Sequence, residues 1–185
     1  MTAQSYVFAA RRKVLVAHYH RDKLLEAVEV ERESSSSDRD PCTGEAVPGV
    51  AVQAHLEGLL NSIFAIPDQL AGALNGYLEL GLRGQGVTLK GVADSPAGSV
   101  SSAALSWAKS IEPLRTLRNA MTHRHHRKTP SGPVDILEVS DDSIPDSRPW
   151  ALSDLIVLVS GTIDEAGKHI EDIERLVSGT AANTS

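Results

Sequence analysis

Along the 185 residues, apolar positions recur three and four apart in four long stretches, and the segments between them are rich in proline, glycine and serine. The first stretch, 6–33, carries Val7, Val14, Leu24, Leu25 and Val28 on one face, with Arg11, Arg12, Lys13, Arg21 and Lys23 on the other. A second runs over 50–82 with His55, Leu59, Leu60, Ile63, Phe64, Leu70, Leu74, Leu78 and Leu80 on its apolar side. Proline lacks the amide hydrogen and disfavours helix at the residue before it, so Pro67 is expected to bend or split this helix.

The third stretch starts at Ser101 or Ser102, where a serine hydroxyl can accept from the free amides of a first turn. It continues through Trp107, Ile111, Leu114, Leu117 and Met121, with a kink expected at Pro113, and ends before T-P-S-G-P at 129–133. The fourth runs over 152–177 with Leu155, Ile156, Leu158, Val159, Ile163, Ile170, Ile173 and Leu176 as its stripe. Segment 34–48 has loop chemistry throughout, and the tail 178–185 is expected to fray. The glycine-rich segment after 80 reads as a loop with a short extended piece at 87–90. V-D-I-L-E-V alternates apolar and polar, which allows a short strand or extended segment near 134–139. The expectation is one all-α domain over 1–185, an antiparallel bundle of four to five helices.

Composition supports that class. Aromatics are 4% of the chain, so the apolar mass is mostly Ala, Leu and Val, a balance that favours helix over sheet. No apolar run approaches the roughly 20 residues of a spanning helix, so no membrane association is expected. At the N-terminus the apolar residues precede the cations, the reverse of a secretory signal. The single cysteine, Cys42, excludes an internal disulfide and a cysteine-based zinc site. Together these make a cytoplasmic location the expectation. A formal net charge of −6 argues against whole-surface attraction to nucleic acid but leaves room for a local basic site.

That site is 114–128, L-R-T-L-R-N-A-M-T-H-R-H-H-R-K. Beside the apolar positions Leu114, Leu117 and Met121 run Arg115, Arg118, Asn119, Thr122, His123 and His126, also three and four apart. At 3.6 residues per turn an imidazole therefore stands one turn from a carboxamide and a guanidinium, a combination suited to phosphodiester chemistry. Each residue also has a plainer reading. Arg118 and Asn119 can solvate a helix edge, and His123, Arg124, Arg127 and Lys128 can sit at a helix C-terminus because the macrodipole favours cations there.

The run Arg118-Asn119-Ala120-Met121-Thr122-His123 resembles the R-(N/H/D)-x-x-x-H signature of the HEPN superfamily, the higher eukaryotes and prokaryotes nucleotide-binding domains. The resemblance covers those six residues, with the four-helix pattern of the chain as weaker support. It implies a metal-independent endoribonuclease without a cofactor, built as a homodimer whose paired motifs form a cleft. It further implies RNA as substrate, with no DNA specificity, and an antitoxin or defence-system protein as partner.

On that resemblance His123 acts as general acid or base, Arg118 holds the scissile phosphate, and Asn119 orients the ring or bonds a phosphate oxygen. Arg115, Thr122, Arg124 and His126 would line the substrate path. Attack by the ribose 2′-hydroxyl would restrict cleavage to RNA and leave a cyclic phosphate. His125 stands where members paired with a nucleotidyltransferase antitoxin have tyrosine, which argues against that kind of partner.

Two rivals come from other classes. One is a non-catalytic helical module whose polar stripe binds nucleotide, RNA or a protein. The other is a metal site assembled from His123, His125 and His126 with His18 and His20. Neighbouring rings on one helix cannot all converge on an ion, and no cysteine completes a zinc set.

Overall fold

The computed structural model describes residues 1–34, 50–122, 136–137 and 150–179. Helix accounts for 83% of the described residues, so the class is all-α, a helical bundle. The helices are α1 (Ala3–Ser34), α2 (Val50–Tyr77), α3 (Leu89–Ala93), α4 (Ser102–Ser110), α5 (Pro113–Thr122) and α6 (Leu152–Gly179). Two two-residue strands, β1 (Ile136–Leu137) and β2 (Trp150–Ala151), form an antiparallel ladder that pairs Ile136 with Ala151 and Leu137 with Trp150.

Neither glycine nor proline interrupts α1, and its start is capped where the Ser5 amide donates to Thr2 Oγ1 at 3.2 Å. Its inward positions follow a three–four alternation, Val7, Ala10, Val14, Ala17, Arg21, Leu24 and Val28, with five of the seven buried and Val14 and Arg21 half-buried. That repeat of 3.5 keeps one seam facing inward along the helix. Leu25, expected in the stripe, lies one position off this seam and is exposed.

In α2 buried positions are dense from Leu59 to Leu74, as in a helix enclosed on more than one side, with Asn61 and Asp68 exposed among them. It passes through Pro67 as a single helix, so the expected split does not occur. The helix ends at Tyr77 rather than 82. Glu79 (φ 50°) and Gly81 (φ 69°) turn the chain out of α2 through left-handed backbone.

Two further boundaries differ from the periodicity. Of the segment expected to be extended at 87–90, Thr88 is extended, whereas Leu89 and Lys90 open the five-residue α3, whose first turn is held by Thr88 Oγ1 accepting from the Gly91 amide at 2.9 Å. The expected single kinked third helix is two helices. Ser101 caps α4 by accepting from the Ala104 amide at 3.1 Å, α4 closes at Ile111, and Pro113 begins α5. Proline is well placed at a first helical position, where its missing amide would have had no partner.

The chain forms two compact units, each discontinuous in sequence, and α1, α2 and α6 contribute residues to both. The first comprises 1–17, 62–112 and 162–185. Its core contains Val7, Ile66, Leu70, Leu74, Trp107 and Ile170, and the Trp107 indole N–H donates to the Thr162 carbonyl at 3.1 Å. Gly72 lets Tyr6 approach α2, since a Cβ there would come within 2.6 Å of the phenol ring. The second unit comprises 18–61 and 113–161, and buries Leu24, Leu56, Leu59, Leu60, Leu114, Leu117 and Leu155. Of the expected α6 stripe, Leu155, Val159, Ile163, Ile170 and Ile173 are buried, whereas Leu176 is exposed. Among the described residues no helix is long and apolar enough to cross a membrane.

Candidate functional site

Because α5 starts at Pro113, its register is set there. Leu114 and Leu117 are buried, which turns Arg115 and Asn119 outward to exposed positions and leaves Arg118 half-buried at the edge. Successive turns of one helix thus carry a guanidinium, a second guanidinium beside a carboxamide, and the backbone of Thr122.

Arg118 is held from α2, where Asn61 Oδ1 accepts from its Nε at 3.2 Å. Arginine's guanidinium is planar and rigid, so a bond at Nε orients the whole fork. Asn61 belongs to no periodic pattern. It lies 57 residues from Arg118, an exposed amide within the apolar run L-L-N-S-I-F. Its only sequence signal is a polar residue interrupting that run.

The structure therefore places three of the expected site residues, Arg115, Arg118 and Asn119, on one solvent-facing side of α5. His123, Arg124 and His126 lie outside the described residues, as does the side chain of Thr122. Among the described residues no group of three His, Cys, Asp or Glu side chains is arranged to hold a metal. Of the histidine set considered for a metal, His123, His125 and His126 are outside the described residues, while His18 and His20 lie on α1.

His20 does meet another imidazole. Its Nδ1 lies 3.2 Å from Nδ1 of His55 on α2, with ring centroids 5.4 Å apart and planes tilted by 49°. Tyr19 stands edge-on to both rings, at 5.3 Å from His20 and 6.2 Å from His55. Burial, and then the neighbouring charge of a protonated His55, lower the pKa of His20 below its ordinary value. Sequence periodicity placed His55 on an apolar helix face and gave no sign of this pairing, which joins residues 35 apart.

A separate groove of about 400 Å³ lies on α1 and α6 of the first unit. Phe8, Val14, Leu15 and Ile170 line it with Arg11 and Arg12. None of the candidate residues of α5 borders it.

The described residues thus form an all-α protein in which one side of α5 carries two guanidiniums and a carboxamide. No family model, no curated protein and no solved structure matches the chain.

Proposed function

We propose that this protein is a metal-independent endoribonuclease of the HEPN type. The observation that carries the reading is the adjacent Arg118-Asn119 pair on the outward side of α5, with Arg118 steered by Asn61 and with His123 following the last residue of that helix. In this reading Arg118 binds the scissile phosphate and offsets charge that grows on its oxygens. His123 takes the proton from the ribose 2′-hydroxyl or delivers one to the leaving 5′-oxygen. Asn119 bonds a phosphate oxygen or orients the ring, and Arg115, Thr122, Arg124 and His126 draw the strand in through its backbone charge.

One motif offers one strong acid–base group, whereas transphosphorylation uses two. A homodimer that pairs two motifs supplies the second. Service as a toxin or antiviral defence effector, with an antitoxin or defence-system protein as partner and the cytoplasm as location, follows from the resemblance in the motif.

The test is cleavage of single-stranded RNA in EDTA by the wild type, His123→Ala and Arg118→Ala, with circular dichroism to show that each variant is folded. The reading requires cleavage by the wild type to cyclic-phosphate ends. It also requires a loss of about a hundredfold or more in His123→Ala, the usual scale of a positioned acid–base group. Wild type that leaves RNA intact but still binds it would favour the second reading, a non-catalytic module for nucleotide, RNA or a protein. That reading draws on the Arg118–Asn61 bond, which joins two helices whether or not a substrate is present.

A further inference from the structure

We propose that His20 and His55 form a two-imidazole site for one divalent late transition-metal ion of the zinc, nickel or copper class, clipping α1 to α2. Imidazole nitrogen binds such ions at roughly 2.0–2.1 Å. Two donors 3.2 Å apart then subtend an angle of about 100° at the metal, close to the tetrahedral value. The two Nδ1 atoms already face one another across that distance. With each ring carrying its proton on Nε2, both Nδ1 atoms have a lone pair to offer an ion held between them.

The surroundings are built for the rings. Gly58 lies three residues beyond His55, on the same side of α2, and the His20 ring rests on it. A Cβ at that position would come within 2.4 Å of Cε1 and 2.7 Å of Nδ1, so any other residue would displace the ring from its partner. Tyr19 closes another side through its edge contacts with both imidazoles. Every participant belongs to the second compact unit. Among the described residues no third His, Cys, Asp or Glu joins the pair, so water or a small ligand completes the coordination and the site is an open one. The charge-bearing α5 residues take no part, which makes this site independent of the nuclease reading.

The experiment uses the full chain, stripped with chelator and titrated with Zn²⁺ against a chromophoric indicator, and with Co²⁺ to read coordination geometry from its visible absorption. The expected result is one ion per chain, a tetrahedral-type Co²⁺ spectrum and a melting temperature raised by Zn²⁺. All three should be lost in His20→Gln and in His55→Gln and kept in His169→Gln. Binding that survives His20→Gln and His55→Gln but disappears when His123, His125 and His126 are replaced together overturns the proposal, as does a wild type that binds no ion.

A measurement on the wild type guards against variants that do not fold. Substoichiometric Cu²⁺ should broaden the ring-proton resonances of His20 and His55 ahead of those of the other histidines. Uniform broadening, or broadening led by another ring, also overturns it. RNA cleavage is assayed in EDTA, so failure of either proposal is read separately from the other.

Discussion

Asn75 offers a sharp test of how α2 hands the chain to the loop that follows. Its side chain spans the turn twice: Nδ2 donates to the Leu82 carbonyl at 3.1 Å, and Oδ1 accepts from the Leu82 amide at 3.0 Å. The carboxamide thereby replaces the backbone partners that Leu82 lacks in a turn passing through left-handed Glu79 and Gly81. Each such bond contributes about 1 kcal/mol net, so Asn75→Ala forfeits about 2 kcal/mol. Alanine's better helix propensity returns about 0.5 kcal/mol, leaving a net loss of about 1.5 kcal/mol.

Asn75→Asp separates hydrogen bonding from shape. The carboxylate can still accept from the Leu82 amide, but its other oxygen now faces the Leu82 carbonyl with no proton between them. Aspartate should therefore be no more stable than alanine, although it matches asparagine in size. The assay is urea unfolding followed by far-ultraviolet circular dichroism. The midpoint of Asn75→Ala should fall by roughly half a molar to one molar, given the usual dependence of stability on urea. An aspartate variant as stable as the wild type would refute the two-bond account, because one surviving bond would then be doing the work assigned to both.

Two other backbone features make opposite predictions. At Gly98 a Cβ would fall 1.7 Å from the Val92 carbonyl oxygen and 3.0 Å from that of Ser95, and both are main chain. Gly98→Ala must therefore open the turn held by the 2.8 Å bond from the Gly98 amide to Ser95, at a cost of about 2–4 kcal/mol; a thermal melt unchanged from wild type would contradict it. Glu79 is exposed and holds φ at 50°, a conformation costing an L-residue about 1–2 kcal/mol. Glycine removes that cost and gives back about 0.5–1 kcal/mol through its freer unfolded chain, so Glu79→Gly should stabilise by about 0.5–1 kcal/mol in the same urea assay, and a lower midpoint would count against it.

Periodicity located the long helices because each buries a continuous stripe. The starts of α2 and α6 fall at the expected residues 50 and 152, and the ends that differ do so where short-range turn chemistry takes over. The two prolines show why pattern alone fails at boundaries. Pro67 and Pro113 carry the same local signal, yet α2 continues through the first, and the second opens a new helix. Around Pro67 the neighbours Ile63, Phe64, Ile66, Leu70 and Ala71 are all buried, and that burial outweighs one missing hydrogen bond. Before Pro113 stand exposed Ser110 and Glu112, with only Ile111 buried, so little is lost by stopping there. The five residues of α3 are too few to show any period. At the site, α5 was legible as an amphipathic helix, but Asn61 and the His20–His55 pairing were not. Both are tertiary contacts between α2 and another helix, over 57 and 35 residues, and no local spacing encodes them.

The chemistry of the Arg118 anchor bears on what the α5 face does. A solvent-reachable hydrogen bond adds little to stability, because water replaces it at almost no cost. Asn61 is exposed and Arg118 only half-buried, so their contact is a weak candidate for a tie that holds the fold. Its stronger consequence is orientation. Acting through Nε, it fixes the plane of the guanidinium, and as a neutral carboxamide Asn61 does so without offsetting the positive charge, as an aspartate at the same place would. An arginine oriented in this way stands beside an exposed carboxamide on the same helix, as the proposed reading requires. That asymmetry between a small structural return and a defined orientation supports the proposal made above for the α5 face.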